Sequence, residues 1–99
     1  MTPVDDGLDP QVIHPLNRLR ICAMLNAAQE VEFATVQAHL GVSASVLSKQ
    51  LAYLADAGYV SQRRVLSRSR HRVWLRLTRA GRTAYSRHLT VLRDIVGDR

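Results

Sequence analysis

The sequence holds one cysteine, Cys22, and one lysine, Lys49, and it has no acidic residue between Ala57 and Arg93. A lone cysteine excludes an internal disulfide. Its place in an apolar helical run fits a reducing interior, so a cytoplasmic protein is expected. The opening "MTPVDDGLDPQVIHP" is acidic and has no apolar centre, which argues against a secretory signal. No apolar run approaches membrane-spanning length, so no membrane partner is expected. Catalytic machinery is missing as well: there is no phosphate loop, no nucleophile elbow and no carboxylate pair in an apolar frame. His14, His39, His71 and His88 are scattered, with no two of them three or four positions apart. Zinc sites usually show such local pairs, so neither a metal nor a cofactor is expected. A chain of 99 residues suits one domain and leaves little room for a deep substrate pocket, so the expectation is a protein that is not an enzyme.

What is present is arginine. It supplies 13 of the 14 basic side chains and most of the formal net charge of +6. Ten arginines fall within the acid-free stretch, eight of them in "RRVLSRSRHRVWLRLTRAGR", residues 63–82. A one-signed stretch of this length attracts polyanions. Arginine's planar fork also matches phosphate and guanine edges better than lysine does. The alternatives are a solvated face that only aids solubility, or a codon bias toward arginine.

Residues 1–11, with two prolines, a glycine and three aspartates, read as a flexible tail, and 12–97 as the folded domain. After Pro15, Leu16, Leu19, Cys22/Ala23 and Leu25 fall at helical spacing, with Ile21 on a second edge. "QEVEF" reads as a brief strand or a turn. Phe33, Val36 and Leu40 form a short helix ended by Gly41. Ser43 is a natural N-cap for a helix over 43–57 whose stripe is Val46/Leu47, Leu51 and Leu54. Tyr59–Val65 and Arg72–Leu77 alternate as strands, joined by a six-residue polar connection. Thr78 caps a last helix that runs to about Val96. Two short helices around a tight glycine turn make a helix-turn-helix, and the hairpin after it makes a wing. The predicted fold is mainly α with a small β-hairpin, in the order α-β-α-α-β-wing-β-α.

The runs "LGVSASVLSKQLAYLADAGYV" and "LTRAGR", within roughly 14–96, resemble small bacterial winged-helix transcriptional regulators of the compact MarR/ArsR-like type. The resemblance implies binding of double-stranded DNA and a homodimer. The chain departs from larger MarR proteins in length and from metal-sensing ArsR proteins in lacking clustered cysteines. No effector is therefore implied, and any small-molecule site is expected at a dimer interface.

With Leu47, Leu51 and Leu54 inward, the other face of the 43–57 helix offers Ser43, Ala44, Ser45, Ser48, Lys49 and Tyr53, with Gln50 at its edge. Hydroxyls and one cation suit base edges in the major groove, and in the related proteins this helix enters that groove. The alternative is a plain amphipathic helix whose small residues ease packing. The wing 63–72 offers Arg63, Arg64, Ser67, Arg68, Ser69, Arg70, His71 and Arg72 for phosphates or a narrow minor groove. Blocking sheet aggregation would need fewer charges. Trp74 is expected to pack beneath a helix rather than stack on nucleic acid. Apolar positions at Tyr85, His88, Leu89, Leu92, Ile95 and Val96, joined by Val12, Ile13 and Leu16, form the expected dimer interface. The expected function is a sequence-specific dimeric repressor. The alternatives are a protein-binding winged helix and an architectural DNA binder.

Overall fold

A computed structural model describes residues 16–97. The tail 1–11 and the interface positions Val12 and Ile13 lie outside them. The elements are α1 (Leu16–Asn26), β1 (Val31–Glu32), α2 (Phe33–Leu40), α3 (Ala44–Asp56), β2 (Val60–Ser67), β3 (Arg70–Leu77) and α4 (Arg79–Val96). The three strands form one antiparallel sheet in the order β1-β3-β2. "QEVEF" is thus a strand of two residues, with Val31 opposite Leu75 and Glu32 opposite Trp74.

The core joins Ile21, Cys22 and Leu25 of α1 to Val36 and Leu40 of α2 and to Leu47, Leu51 and Leu54 of α3. Val60, Leu75 and Leu77 close it from the sheet, and Ala84 and Tyr85 from α4. The buried face of α1 is turned from the expected one. Leu16 is 60% exposed and Ala23 is exposed, while Arg18, Ile21, Cys22 and Leu25 are buried. Positions 18, 21, 22 and 25 form a true three-four stripe. An arginine on that stripe disguised it. Its long stem can lie along apolar surface, and its guanidinium stacks over the ring of Tyr53, 4.2 Å from the centroid. Val46, expected beside Leu47 in the α3 stripe, is 40% exposed.

Three residues, 41–43, link α2 to α3. Gly41 has φ 67°, a left-handed conformation open to glycine, and its N–H donates to Gln37 O at 2.9 Å. Ser43 Oγ accepts from the N–H of Val46 at 3.2 Å and so starts α3 as expected. At the head of α4, Thr78 accepts from the N–H of Gly81 and donates to Gly58 O at 2.6 Å, while its own N–H donates to Tyr59 O. A methyl on Gly81 would collide with the Tyr59 carbonyl. "LTRAGR" therefore works as a clamp: the threonine ties α4 to the start of β2, and the glycine lets the two backbones touch.

The wing is longer than expected and its turn is tighter. The ladder continues through Leu66–His71 to Ser67–Arg70, which leaves only Arg68 and Ser69 as the turn. Both have positive φ, 50° and 63°. This matches a two-residue turn whose twist suits a hairpin. Asn-Gly usually marks that geometry, so Arg-Ser carried no such signal.

Candidate nucleic-acid interface

The helix-turn-helix leaves one side of α3 in solvent. Ser43, Ala44, Ser45, Ser48 and Lys49 are exposed, and Gln50 is half-buried with its Oε1 buried and unbonded. The hydroxyl of Ser43 is partly spent on the cap and lies 3.2 Å from Ser45 Oγ. Ser48 and Lys49 are exposed and form no side-chain hydrogen bond or ion pair among the described residues, whereas Ser45 shares its hydroxyl with Ser43. Tyr53 is 48% exposed, and its ring is covered on one side by Arg18. Arg18 is itself buried, and its Nε and Nη1 find no hydrogen-bond partner. Sequence reading missed this residue, because an arginine in an apolar stripe looks like an interruption rather than a member.

On the wing, the tertiary structure divides the arginines into two groups. Arg63 donates to both carboxylate oxygens of Glu30, at 2.8 and 3.1 Å. That hydrogen-bonded pair holds the Glu30 carboxyl below its usual range and raises Arg63, with Arg76 adding a further charge effect on Glu30. Arg72 lies 3.7 Å from Glu32. The two acids come from β1 and the residue before it: Glu30 meets Arg63 midway along β2, and Glu32 meets Arg72 two positions into β3. Among the described residues, Arg64, Arg68 and Arg70 have no ion pair, and they, Ser67, Ser69 and His71 are exposed. Both arginines at the turn are thus uncompensated, as are Arg64 midway along β2 and Arg76 near the core end of β3. By strand alternation, Arg64, Leu66 and His71 share the sheet face that carries Val60 and Leu75 nearer the core, whereas Arg63, Arg70 and Arg72 share the opposite face.

Trp74 sits on that opposite face, cross-strand from Arg63 and Glu32, and is half-buried. It is not part of the buried core cluster, and it lines the outer face of the sheet beside Arg79 and Arg82 of α4. Arg82, half-buried in α4, donates to the Asn26 carbonyl, Asn26 Oδ1 and the Ala28 carbonyl at 3.2–3.3 Å. It thereby satisfies carbonyls left open at the end of α1.

The expected dimer positions also divide. Tyr85 and His88 are buried within their own chain, so they do not present a free face. Burial raises the Tyr85 phenol above its ordinary range. Leu89 and Leu92 are half-buried, while Leu16, Ile95 and Val96 are 60–74% exposed. The helical spacing showed a wide apolar face but not which edge of it the chain uses for its own core. Cys22 is fully buried, and burial pushes its thiol up to about 12.

A tight helix-turn-helix, a three-stranded sheet and a basic hairpin define a winged helix-turn-helix protein. Residues 17–96 match the family described as winged helix DNA-binding domain, and the chain belongs to that family. It is thus a DNA-binding domain of the winged-helix kind. No curated protein matches the sequence. Among solved structures, a transcriptional regulator homologue from Pyrococcus horikoshii OT3 superposes with a TM-score of 0.83 at 22% identity, covering 88% of this chain and 86% of the other. The transcriptional repressor BigR from Xylella fastidiosa gives 0.67 at 24% identity, over 86% and 79%. FabT from Streptococcus pneumoniae, in complex with DNA, gives 0.62 at 23% identity, over 91% and 58%. At these identities the likeness concerns the fold. No helix among the described residues is long and apolar enough to cross a membrane.

Proposed function

We propose that the chain is a dimeric, sequence-reading repressor that acts on promoter DNA in the cytoplasm. Ser45, Ser48 and Lys49 of α3 contact base edges in the major groove, with Ser43, Ala44, Gln50 and Tyr53 around them. The outer wing, through Arg64, Arg68 and Arg70, holds phosphates or enters the minor groove. Arg63 and Arg72 serve mainly to brace the wing against β1. The observation that carries this reading is the pairing pattern. Arg63 and Arg72 are matched by Glu30 and Glu32, whereas Arg64 and both arginines at the turn, Arg68 and Arg70, are not. A wing built for solubility alone gives no reason to concentrate unpaired arginine at its turn. Phosphate contacts at the tip would fix the position of α3, and contacts from α3 would specify sequence. Leu16, Ile95 and Val96 are the apolar surface on which a second copy would dock, placing two α3 helices about one DNA turn apart, on the order of 34 Å.

The test is selection from a randomised duplex library at about 150 mM salt, where non-specific binding is weak. Enrichment of a two-fold symmetric motif supports the dimeric reader. Retention without a motif assigns an architectural role, and no retention moves the function to protein partners.

A further inference from the structure

The sheet face that turns away from the core carries an open groove of about 930 Å³. Its walls include Glu30, Arg63, Trp74, Arg76, Arg79 and Arg82, contributed by the segment before β1, both wing strands and the first turn of α4. Four guanidinium groups face one carboxylate, and that carboxylate is already held by Arg63. Arg82 is anchored on neutral oxygens, so its charge is not cancelled. Arg76 and Arg79 are exposed, and among the described residues neither forms a hydrogen bond or an ion pair. The lining therefore carries three positive charges without a partner, beside the chain's single tryptophan.

We infer that this groove is a binding site for a small planar organic anion: a ring carrying phosphate or carboxylate groups. The chemistry follows from the lining. Several guanidinium forks converging on one space favour planar, bidentate oxyanions. A partly exposed indole offers a face or edge to a ring and a poor surface to a bare inorganic ion. The depth of the groove along the wing argues for a small ligand rather than a DNA backbone. Arg63 stands four residues before the end of β2, about 13 Å from the turn at 3.3 Å per residue. The site also adjoins the brace of the wing. An anion there competes with Glu30 for Arg63, so occupancy would bear on how the wing is held. The site itself does not depend on the DNA reading, and only that last consequence rests on it.

Trp74 makes the test direct, because all indole fluorescence arises at the groove. The full chain is titrated with adenosine monophosphate, trimesate, inorganic phosphate and neutral adenosine. Saturable change with one or both ring anions is expected, and the stronger of the two identifies the anionic group. Calorimetry with the Arg76→Gln, Arg79→Gln double variant should show affinity lower by about tenfold or more. Both side chains are exposed, so the variant keeps the fold, which its melting temperature checks. No saturation by either ring anion up to about 1 mM, the edge of useful affinity, overturns the proposal. So does equal binding of adenosine or of inorganic phosphate, or a double variant that binds unchanged. A double variant that loses affinity for duplex DNA as much as for the ring anion would assign the groove to the DNA contact and also overturn it. An unliganded groove leaves motif selection by α3 and the wing untouched, so the two readings fail separately.

Discussion

Arg63 and Glu30, separated by 33 positions in sequence, are joined by two hydrogen bonds of 2.8 and 3.1 Å. The contact ties the wing to the segment that enters β1 and removes one arginine from the pool open to a polyanion. Replacing Glu30 with glutamine should return that charge. Affinity for random duplex should rise through the longer-range attraction of the added charge, while the slope of log K against log salt stays near that of wild type, because Arg63 lies about 13 Å back from the turn. A slope steeper by about 0.9, the value of one phosphate contact, would mean that the freed Arg63 reaches DNA. The pair is also insensitive to mild acid. Because the folded Glu30 pKa is depressed, its stabilising contribution is complete above the ordinary carboxylate range and is lost only as pH falls below it.

The wing tip and α3 should respond to substitution in different ways. Arg68→Ala and Arg70→Ala should each weaken binding to all duplexes and flatten the salt slope by about 0.9. Lys49→Ala should change the preferred sequence, costing about 1–3 kcal/mol at the base pair it contacts and little elsewhere. Binding profiles over a mismatch library separate the two patterns. A tip variant that alters preference at a single position would reverse the assignment.

The clamp at the head of α4 should be sensitive to a single methyl. Gly81→Ala forces a side chain against the Tyr59 carbonyl, and the backbones must part. A loss of about 1–3 kcal/mol is expected, the scale of overpacking. Thr78→Ala removes the cap and the bond to Gly58, costing about 0.5–2 kcal/mol. Denaturant titration measures both, and a neutral Gly81→Ala would contradict the close approach.

The wing turn places two non-glycine residues in the left-handed region, Arg68 at φ 50° and Ser69 at φ 63°. Each bears a steric cost on the order of 1 kcal/mol that glycine or asparagine relieves. Arg68→Asn with Ser69→Gly should therefore raise the melting temperature while weakening DNA binding through loss of one cation. Stability and affinity moving together would be the opposite result.

Cys22 should be chemically silent in the folded protein. Burial pushes its thiol up to about 12, so almost no thiolate exists at neutral pH, and reagent has no access. A disulfide reagent should label it only at the rate of unfolding, with full reaction in denaturant. Rapid labelling of the native chain would show that α1 opens locally.

The sequence by itself determined the order of the elements and the ends of the helices, while the wing strands run further than the alternation showed. Gly41, Ser43 and Thr78 announce their turns and caps through local chemistry, and Leu47, Leu51 and Leu54 announce a face through helical period. The acid-free arginine run likewise announced a polyanion partner without reference to any fold. Tertiary structure alone decided which of those charges remain free. Glu30 and Glu32 lie far back in the chain, in a segment too short to carry a strand signal, and only the β1–β3 pairing brings them to Arg63 and Arg72. The same reason explains the other departures. Arg18 belongs to the buried stripe because Tyr53 covers its guanidinium. Tyr85 and His88 turn to their own core, leaving Leu16, Ile95 and Val96 outside. Caps and periods are local properties that neighbouring residues encode. Ion pairs, stacking and the choice between two apolar edges depend on which distant surface arrives, and no spacing along the chain records that.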